Sequence, residues 1–261
     1  MVVANWKMYK TLSEATEFLL NFPQKVAEIG RDQVEIVICP SFISLADFSQ
    51  RMKGTPLILG AQNMHWEKEG AYTGEVSPMM LDSLGVKYVI IGHSERRSYF
   101  GEDDRIVLKK VEVAFAHNLS PILCIGENEE QFKSGKTNQV LKEQLFSVLQ
   151  GLFPQQGIQD MQALATRLVV AYEPVWAIGT GNPATGETAA QVAGYIRGLL
   201  RELWGDVAEE IRILYGGSVN PANILEFVAE SHIDGALIGG SSLQENNLAE
   251  MVRIVAVERR G

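Results

Sequence analysis

The chain is poor in cysteine and histidine, and it carries no known nucleotide-binding signature. Its 261 residues include two cysteines, Cys39 and Cys124, so a disulfide framework is not indicated and a reducing compartment is expected. The four histidines are scattered along the chain, and we predict no metal site. We also predict no cofactor, because neither a dinucleotide fingerprint nor a P-loop occurs.

Positive charge and long apolar stretches are also lacking. With 23 basic and 32 acidic residues the formal net charge is -9, whereas nucleic-acid-binding domains usually present a basic surface. No apolar run reaches membrane-spanning length, and the first residues do not form a charged leader before a long apolar segment. We therefore expect a soluble, cytoplasmic protein that binds neither nucleic acid nor membrane.

Short apolar runs rich in β-branched residues alternate with longer segments of helical periodicity. The predicted strands cover residues 2–5, 34–39, 57–61, 88–91, 121–124, 168–172, 211–215 and 235–238. Amphipathic helices are predicted between and after them, among others over residues 13–29, 103–117, 188–204 and 248–257. Strand and helix therefore alternate along the whole chain.

This alternation predicts an α/β fold. Strands that are apolar on both faces are typical of parallel sheets covered by helices, and eight strand–helix units in about 250 residues are typical of a (β/α)₈ barrel. An open doubly wound sheet is the main alternative, and the polar residues and glycines at the strand ends favour the barrel. We predict a single domain over residues 1–261, because the strands are evenly spread and no linker-like segment divides them.

Polar side chains follow the first and fourth predicted strands, where barrel enzymes carry their catalytic groups. Asn5 and Lys7 are either solvated loop residues or an amide and a fixed positive charge for an anionic substrate. His93 precedes Ser94, which can cap a short helix. A lone histidine is often structural, but a helix N-terminus disfavours imidazolium, so His93 can instead be a neutral donor to a carbonyl.

Glu173 follows the sixth predicted strand and opens a loop with one tryptophan and two glycines, EPVWAIGTG. An isolated glutamate usually faces solvent. An apolar lid over this carboxylate would instead expel water, raise its basicity and suit it to taking a proton from carbon. Asn182 and Pro183 follow the loop, and proline restricts the backbone there.

Paired glycines follow the last two predicted strands, in the sequences YGGS from Tyr215 and GGS from Gly239. They either mark tight turns or allow backbone N–H groups to approach a phosphate closely. Together with a carboxylate base, a neutral donor and a lysine, a phosphate site suits one chemistry. That chemistry is proton abstraction next to a carbonyl.

Five segments at these strand ends resemble the triosephosphate isomerase family. They are ANWKM from Ala4, IGHSERR from Ile91, AYEPVWAIGTG from Ala171, YGGSV from Tyr215 and LIGG from Leu237. They occur in the family's order and span nearly the whole chain. The resemblance implies the TIM-barrel fold and the interconversion of dihydroxyacetone phosphate and D-glyceraldehyde 3-phosphate, a step of glycolysis and gluconeogenesis.

The resemblance also implies a role for each catalytic residue. Glu173 would shuttle the proton and His93 would polarise the carbonyl. Lys7 would stabilise negative charge, Asn5 would help to position the substrate, and Glu95 would support the site from behind. The substrate-binding residues implied are Asn5, Lys7, Gly179, Ser218, Gly239 and Gly240, the last four through backbone amides near the phosphate.

Residues 61–64, followed by residues 70–75, resemble the family's protruding third loop, which enters a neighbouring subunit. The resemblance therefore implies a homodimer in which Thr73 lies near Asn5 and His93 of the partner subunit. The alternative is an ordinary exposed turn.

Two other functions remain open at this point. A catalytically silent phosphate-binding barrel would keep the glycine pairs without needing Glu173 and the loop after it. A different sugar-phosphate isomerase or epimerase could use the same scaffold, because the fold alone does not set the function.

Overall fold

A computed structural model describes residues 1–30, 32–152, 161–178 and 184–258. Its strands are β1 (Val2–Asn5), β2 (Ile36–Cys39), β3 (Leu57–Ala61), β4 (Tyr88–Ile91), β5 (Ser120–Ile125), β6 (Val169–Tyr172), β7 (Arg212–Tyr215) and β8 (Gly235–Ile238). Each strand pairs in parallel with the next, and β8 pairs with β1, so the sheet closes into a barrel. The predicted (β/α)₈ barrel is confirmed.

The observed strand bounds differ from the predicted ones by two residues at most. The largest difference is at β2, which begins at Ile36 and not at residue 34. The N–H of Val34 donates to the carbonyl of Gly30 at 3.2 Å, so a turn holds this residue before the ladder begins. Apolar sequence alone does not show where such a turn ends.

The described helices surround the barrel. They are α1 (Leu12–Lys25), α2 (Leu45–Arg51), α3 (Pro78–Ser83), α4 (Ser94–Phe100), α5 (Asp104–Ala116), α6 (Glu129–Lys133), α7 (Thr137–Leu149), α8 (Met161–Ala165), α9 (Gly186–Trp204), α10 (Ile224–Val228) and α11 (Glu245–Glu258). The helix α1 begins at a capping box in which Thr11 and Glu14 bond reciprocally. No helix within these described ranges is long and apolar enough to cross a membrane.

The buried residues form two layers because successive strand residues point to opposite faces of the sheet. Val2 and Ala4 pack under the helices, whereas Val3 points into the barrel. The interior layer is filled by Val3, Val37, Ile90, Ile122, Val169, Leu214 and Leu237, among others. Burial on both faces accounts for the continuously apolar strand sequences.

A polar cluster lies at the amino ends of the strands. Arg212 donates to Glu35, and also to the hydroxyl of Tyr88 at 2.8 Å, while that hydroxyl donates to Glu35 at 3.0 Å. These three side chains come from the starts of β7 and β4 and from the residue before β2. The carboxyl ends of all eight strands meet at the opposite mouth of the barrel.

Candidate active site

The polar residues that follow the strands converge on one cavity of about 410 Å³ at the carboxyl mouth of the barrel. It is lined by Asn5, Lys7, Tyr9, His93, Glu173, Ile178, Gly216, Gly217, Ser218, Val219, Asn220, Leu237, Gly239, Gly240 and Ser241. A larger cavity, of about 610 Å³, lies between α2 and α3. It contains none of the predicted site residues, so size alone does not identify the reactive centre.

Lys7 stands in an uncommon backbone conformation at the end of β1. Its φ is 51°, in the left-handed region that residues other than glycine rarely adopt. Its N–H donates to the Asn5 side chain at 3.1 Å, and its carbonyl accepts from Nε2 of Gln62 at 2.8 Å. These two contacts hold a conformation that costs free energy, as is common at functional sites.

The cation of Lys7 is paired with Glu95. Its Nζ lies 2.6 Å from Oε1 of Glu95, and both side chains keep part of their surface exposed, 22% and 38% respectively. Glu95 itself does not line the cavity. It therefore lies behind Lys7 and orients the ammonium group from the side of α4.

His93 lies directly before α4 and takes the position of its N-cap. Nδ1 of the ring accepts the N–H of Glu95 at 3.2 Å. A nitrogen that accepts a hydrogen bond carries no proton, so the ring proton is on Nε2. Nε2 lies 2.9 Å from Oε1 of Glu173 and donates to it.

Glu173 is fully surrounded by protein, with 2% of its side chain exposed. Besides the bond from His93, its second oxygen accepts the N–H of Ser94 at 2.8 Å. Its own N–H donates to the carbonyl of Ile125 at 2.8 Å. Gly126 lies so close that an added Cβ would be 1.8 Å from the Glu173 carbonyl oxygen. The base candidate is therefore fixed at both its backbone and its carboxylate.

Glu173 and His93 shift each other's pKa. Burial raises the pKa of Glu173, but the charge and hydrogen bond of His93 and the bond from Ser94 lower it further, so the net pKa is below the ordinary value. Burial lowers the pKa of His93, and Glu173 raises it above the ordinary value. The contacts of the ring place a proton on Nε2, toward Glu173, while Nδ1 lies against the N–H of Glu95.

From the sequence we expect an apolar lid over Glu173 to raise the basicity of its carboxylate. Residues 179–183 lie outside the described residues, so this stays a prediction. In the described part of the chain the carboxylate is not isolated. Four contributions favour its ionised form, namely the charge and the hydrogen bond of His93, the hydrogen bond from Ser94 and the charge of Lys7, and together they outweigh burial.

The far wall of the cavity consists of the turns after β7 and β8. In the part of the chain that the structure describes, the N–H groups of Ser218 and Gly240 donate to no protein acceptor. A Cβ added to Gly239 would lie 3.3 Å from Cε of Lys7, so the lysine side chain passes close to this backbone. The wall thus offers free backbone donors beside a cation, which suits an anion.

The structure brings most of the predicted site residues together. The residues that line the common cavity are Asn5, Lys7, His93, Glu173, Ser218, Gly239 and Gly240. Glu95 contacts two of them from behind. Gly179, which was predicted to bind phosphate, and Asn182 and Pro183 lie outside the described residues.

Two polar groups near the site, the buried Glu127 and the partly buried Gln62, were given no role from the sequence. Glu127 follows β5, and its Oε1 accepts from the hydroxyl of Tyr172 at 3.1 Å and from Nε1 of Trp176 at 2.8 Å. Gln62 follows β3 and holds the carbonyl of Lys7. Both would have been found by examining the polar residue after every strand, since the strand ends of a barrel share one mouth.

Metal ligands do not assemble in the described part of the chain, where no group of three or more His, Cys, Asp or Glu residues could hold an ion. Cys39 and Cys124 are both free thiols and buried. Burial raises the pKa of Cys39, so its thiol stays protonated at neutral pH.

Comparison with known proteins gives one consistent result. Residues 1–255 match the family model described as triosephosphate isomerase. The chain is similar to proteins named triosephosphate isomerase from Dictyoglomus turgidum (50% identical over 254 residues, 97% of this chain and 98% of the relative) and Dictyoglomus thermophilum (49% identical over 254 residues, with the same coverage). A Clostridium perfringens protein of that name is 46% identical over 253 residues, again 97% of this chain and 98% of the relative.

Proposed function

The chain belongs to the triosephosphate isomerase family, and from that premise we propose that Glu173, His93 and Lys7 carry its reaction. The reaction is the interconversion of dihydroxyacetone phosphate and D-glyceraldehyde 3-phosphate through an enediolate. The observation that supports the assignment is the convergence of these three residues, from the ends of β1, β4 and β6, on one cavity.

Glu173 is proposed to take the proton from the carbon next to the carbonyl and to return it to the neighbouring carbon. Its lowered pKa keeps it ionised before substrate binds. To reach the substrate, the carboxylate must leave His93 and Ser94, which now occupy both of its oxygens. Once it leaves these partners, burial remains and raises its basicity at the point where it acts.

His93 is proposed to donate from Nε2 to the substrate oxygen that becomes negative in the enediolate. The bond from the Glu95 N–H to Nδ1 keeps the proton on Nε2 and aims it into the cavity. When Glu173 has taken up a proton, it no longer carries the charge that raises the pKa of His93. A neutral imidazole is therefore the stable form during the reaction.

Lys7 and the turns after β7 and β8 are proposed to bind the negative charges of the substrate. The ammonium group lies beside the free N–H groups of the far wall, so it can stabilise both the phosphate and the developing enediolate. Asn5 fixes the backbone of Lys7 and faces the same cavity. Phosphate contacts are proposed for the backbone at Gly179, Ser218, Gly239 and Gly240.

The two alternative functions are less well supported. A silent phosphate-binding barrel has no use for a buried carboxylate held 2.9 Å from Nε2 of a histidine. A different sugar-phosphate isomerase is disfavoured because full-length relatives at about 50% identity are named triosephosphate isomerase. An assay of the purified protein with both triose phosphates and with pentose phosphates separates the three.

The decisive experiment replaces the base without changing its shape. Glu173→Gln is expected to lower kcat by about 10² to 10⁴-fold, the usual contribution of a positioned general base. Glu112→Gln, a carboxyl on α5 that does not line the cavity, serves as the matched control and should keep the parent rate. An unchanged rate in Glu173→Gln would remove this residue from the mechanism.

We also propose a homodimer formed through the loop around Thr73, which lies near Asn5 and His93 of the partner subunit. Large apolar side chains exposed on the loops after β1 and β2, on α3 and on α4 support it. They include Met8 (95% exposed), Ile43 (70%), Met79 (51%), Met80 (54%), Tyr99 (78%) and Phe100 (67%). Apolar surface of this extent is typical of protein–protein contacts.

Two further proposals concern the whole chain. Residues 1–261 are proposed to form one domain, and the pairing of β1 with β8 supports this because it joins the two ends of the chain in one sheet. The protein is proposed to act in the cytoplasm, in glycolysis and gluconeogenesis, and its two free, buried thiols are compatible with a reducing compartment.

A further inference from the structure

Gln144 is a polar residue on the buried face of α7. Leu141, Leu145 and Val148 lie on that face at three- and four-residue spacing, and all three are fully buried. Gln144 itself is half-buried, at a position where this pattern favours an apolar side chain. Removing a polar group from water costs free energy unless the group is hydrogen-bonded, so the amide of Gln144 needs partners within the protein.

Both polar atoms of the Gln144 amide bind the backbone of a single residue, Gly126. Oε1 accepts the N–H of Gly126 at 2.9 Å, and Nε2 donates to the carbonyl of Gly126 at 3.2 Å. Among the described residues, no other backbone group bonds to Gly126. The side chain of Gln144 therefore takes the place that a neighbouring strand would have, and it satisfies both backbone groups of this glycine.

Gly126 in turn lies against the backbone of Glu173. The N–H of Glu173 donates to the carbonyl of Ile125, the residue before Gly126, at 2.8 Å. The N–H of Val175 donates in the same way to the carbonyl of Glu127, the residue after it, at 3.1 Å. A Cβ on Gly126 would lie 1.8 Å from the carbonyl oxygen of Glu173, so the two backbones are in direct contact. The residue that the amide holds is thus the one against which Glu173 packs.

Open space lies beside this contact. Gln144, Gly126 and Glu173 all line a separate cavity of about 260 Å³, together with polar residues such as Ser94 and Arg97. A polar cavity of this size admits water, and it gives the adjoining backbone room to shift. If the amide is removed, water can satisfy the N–H and the carbonyl of Gly126, but it does not fix their position.

We propose that Gln144 is a positioning residue for the reaction, because it sets the place of Gly126 and, through it, the place of the Glu173 backbone. The inference rests on the proposed role of Glu173 as the base. A general base must lie within hydrogen-bonding reach of the proton that it takes, and a misplacement of about 1 Å can lower the rate by about 10²-fold. Gln144 does not line the cavity of about 410 Å³, so its loss should slow proton transfer without weakening the binding of phosphate.

The experiment compares the steady-state kinetics of Gln144→Met with those of the parent, under conditions in which circular dichroism shows every variant to be folded. Methionine keeps the length of the side chain and suits the apolar face of α7, but it forms neither hydrogen bond. We expect kcat to fall about tenfold, a part of the cost of a full 1 Å displacement. The KM and the inhibition constant of inorganic phosphate should stay as in the parent.

Gln139→Met is the matched control. It makes the same change on the same helix, at an exposed position whose amide bonds to Glu143, and it should keep the parent kcat. Gln144→Ala is a second test variant, which leaves room for water at both groups of Gly126 and should lower kcat by the same order. A residue that only supports the fold would lower the free energy of unfolding and leave the kcat of the folded variants unchanged. A kcat within about threefold of the parent in either folded Gln144 variant would overturn the proposal.

A double substitution tests whether Gln144 acts through Gly126. Substitutions that act on one contact are not additive in free energy, whereas independent ones multiply their effects on the rate. The proposal expects Gln144→Met combined with Gly126→Ala to lower kcat by clearly less than the product of the two single effects. A loss equal to that product would overturn it. Full turnover in Glu173→Gln would instead overturn the proposed catalysis, so the two failures are distinguishable.

Discussion

The backbone N–H of Glu95 donates to Nδ1 of His93 at 3.2 Å, and this bond determines what the histidine can do. It leaves the only ring proton on Nε2, the nitrogen that faces Glu173 and the cavity. The bond comes from the first turn of α4, where the helix dipole also disfavours a positive charge. The fold therefore places Nε2 of His93 to donate toward Glu173 and the cavity.

The first prediction follows from this donor. His93→Ala is expected to lower kcat by about 10² to 10³-fold, the usual cost of losing one donor to a developing oxyanion. The measurement is steady-state turnover of both triose phosphates, with His117→Ala, which does not line the cavity, as the control. A kcat within about threefold of the parent would show that no transition-state hydrogen bond was lost.

The sequence was sufficient to predict the barrel and most of the cavity lining. Most strand residues are apolar, because both faces of the sheet are buried, and the polar residues at the ends of β1, β4, β6, β7 and β8 therefore stand out. The parallel closure then brings all of them to one mouth. The role of each site residue came from the resemblance to the family.

The details that decide reactivity could not be predicted from the sequence. The direction of the Glu173 pKa shift depends on His93 and Ser94, which approach it only in the folded chain. The stack between Phe132 and Trp176 joins an exposed helix to a loop far away in sequence, and neither segment has a pattern that indicates the other. Such contacts are set by the closure of the barrel.

The second prediction concerns the contact between Gly126 and Glu173. Gly126→Ala places a Cβ 1.8 Å from the Glu173 carbonyl oxygen and 2.7 Å from its carbonyl carbon. Neither backbone can yield without moving the base, and a displacement of about 1 Å can lower the rate by about 10²-fold. We expect a loss of kcat of that order and a lower free energy of unfolding.

Gly198→Ala is the matched control for that substitution. Gly198 lies in α9 with no atom within 4 Å of an added Cβ. Alanine is favoured over glycine in a helix by about 1 kcal/mol, so this variant should be more stable than the parent and equally active. If Gly126→Ala kept the parent kcat, the close packing would not be what positions Glu173.

The third prediction is a pH dependence at the amino end of the barrel. Burial raises the pKa of Glu35, but the hydrogen bond and charge of Arg212 and the bond from Tyr88 lower it further, so its pKa is below the ordinary value. A lowered folded-state pKa gives stability that is present above the unfolded pKa and is lost as pH falls through the folded one. Glu35→Gln removes this contribution.

Urea unfolding at several pH values provides the measurement. At pH 7 the Glu35→Gln variant should be less stable than the parent by about 1 kcal/mol, after allowance for solvent screening. The difference should shrink below about pH 4, where the parent carboxyl also becomes protonated. Glu28→Gln, which breaks an exposed pair with Arg253, should show no measurable difference. If the stability difference between the parent and Glu35→Gln stayed constant down to pH 3, packing and not the charge of Glu35 would be its cause.

The last prediction tests the proposed dimer and its loop. At micromolar concentration the parent should sediment at twice its chain mass of 28.8 kDa, because apolar side chains such as Met8 and Tyr99 are otherwise left in water. Thr73→Glu places a negative charge in the proposed contact with the partner subunit, from which water is excluded. It should shift the equilibrium toward the single chain and lower kcat as the concentration falls. Thr137→Glu, at the start of α7, adds the same charge away from these loops and should leave both properties as in the parent. A parent that sediments only as a 28.8 kDa species contradicts the dimer, whereas a Thr73→Glu dimer as stable as the parent contradicts only the placement of the loop.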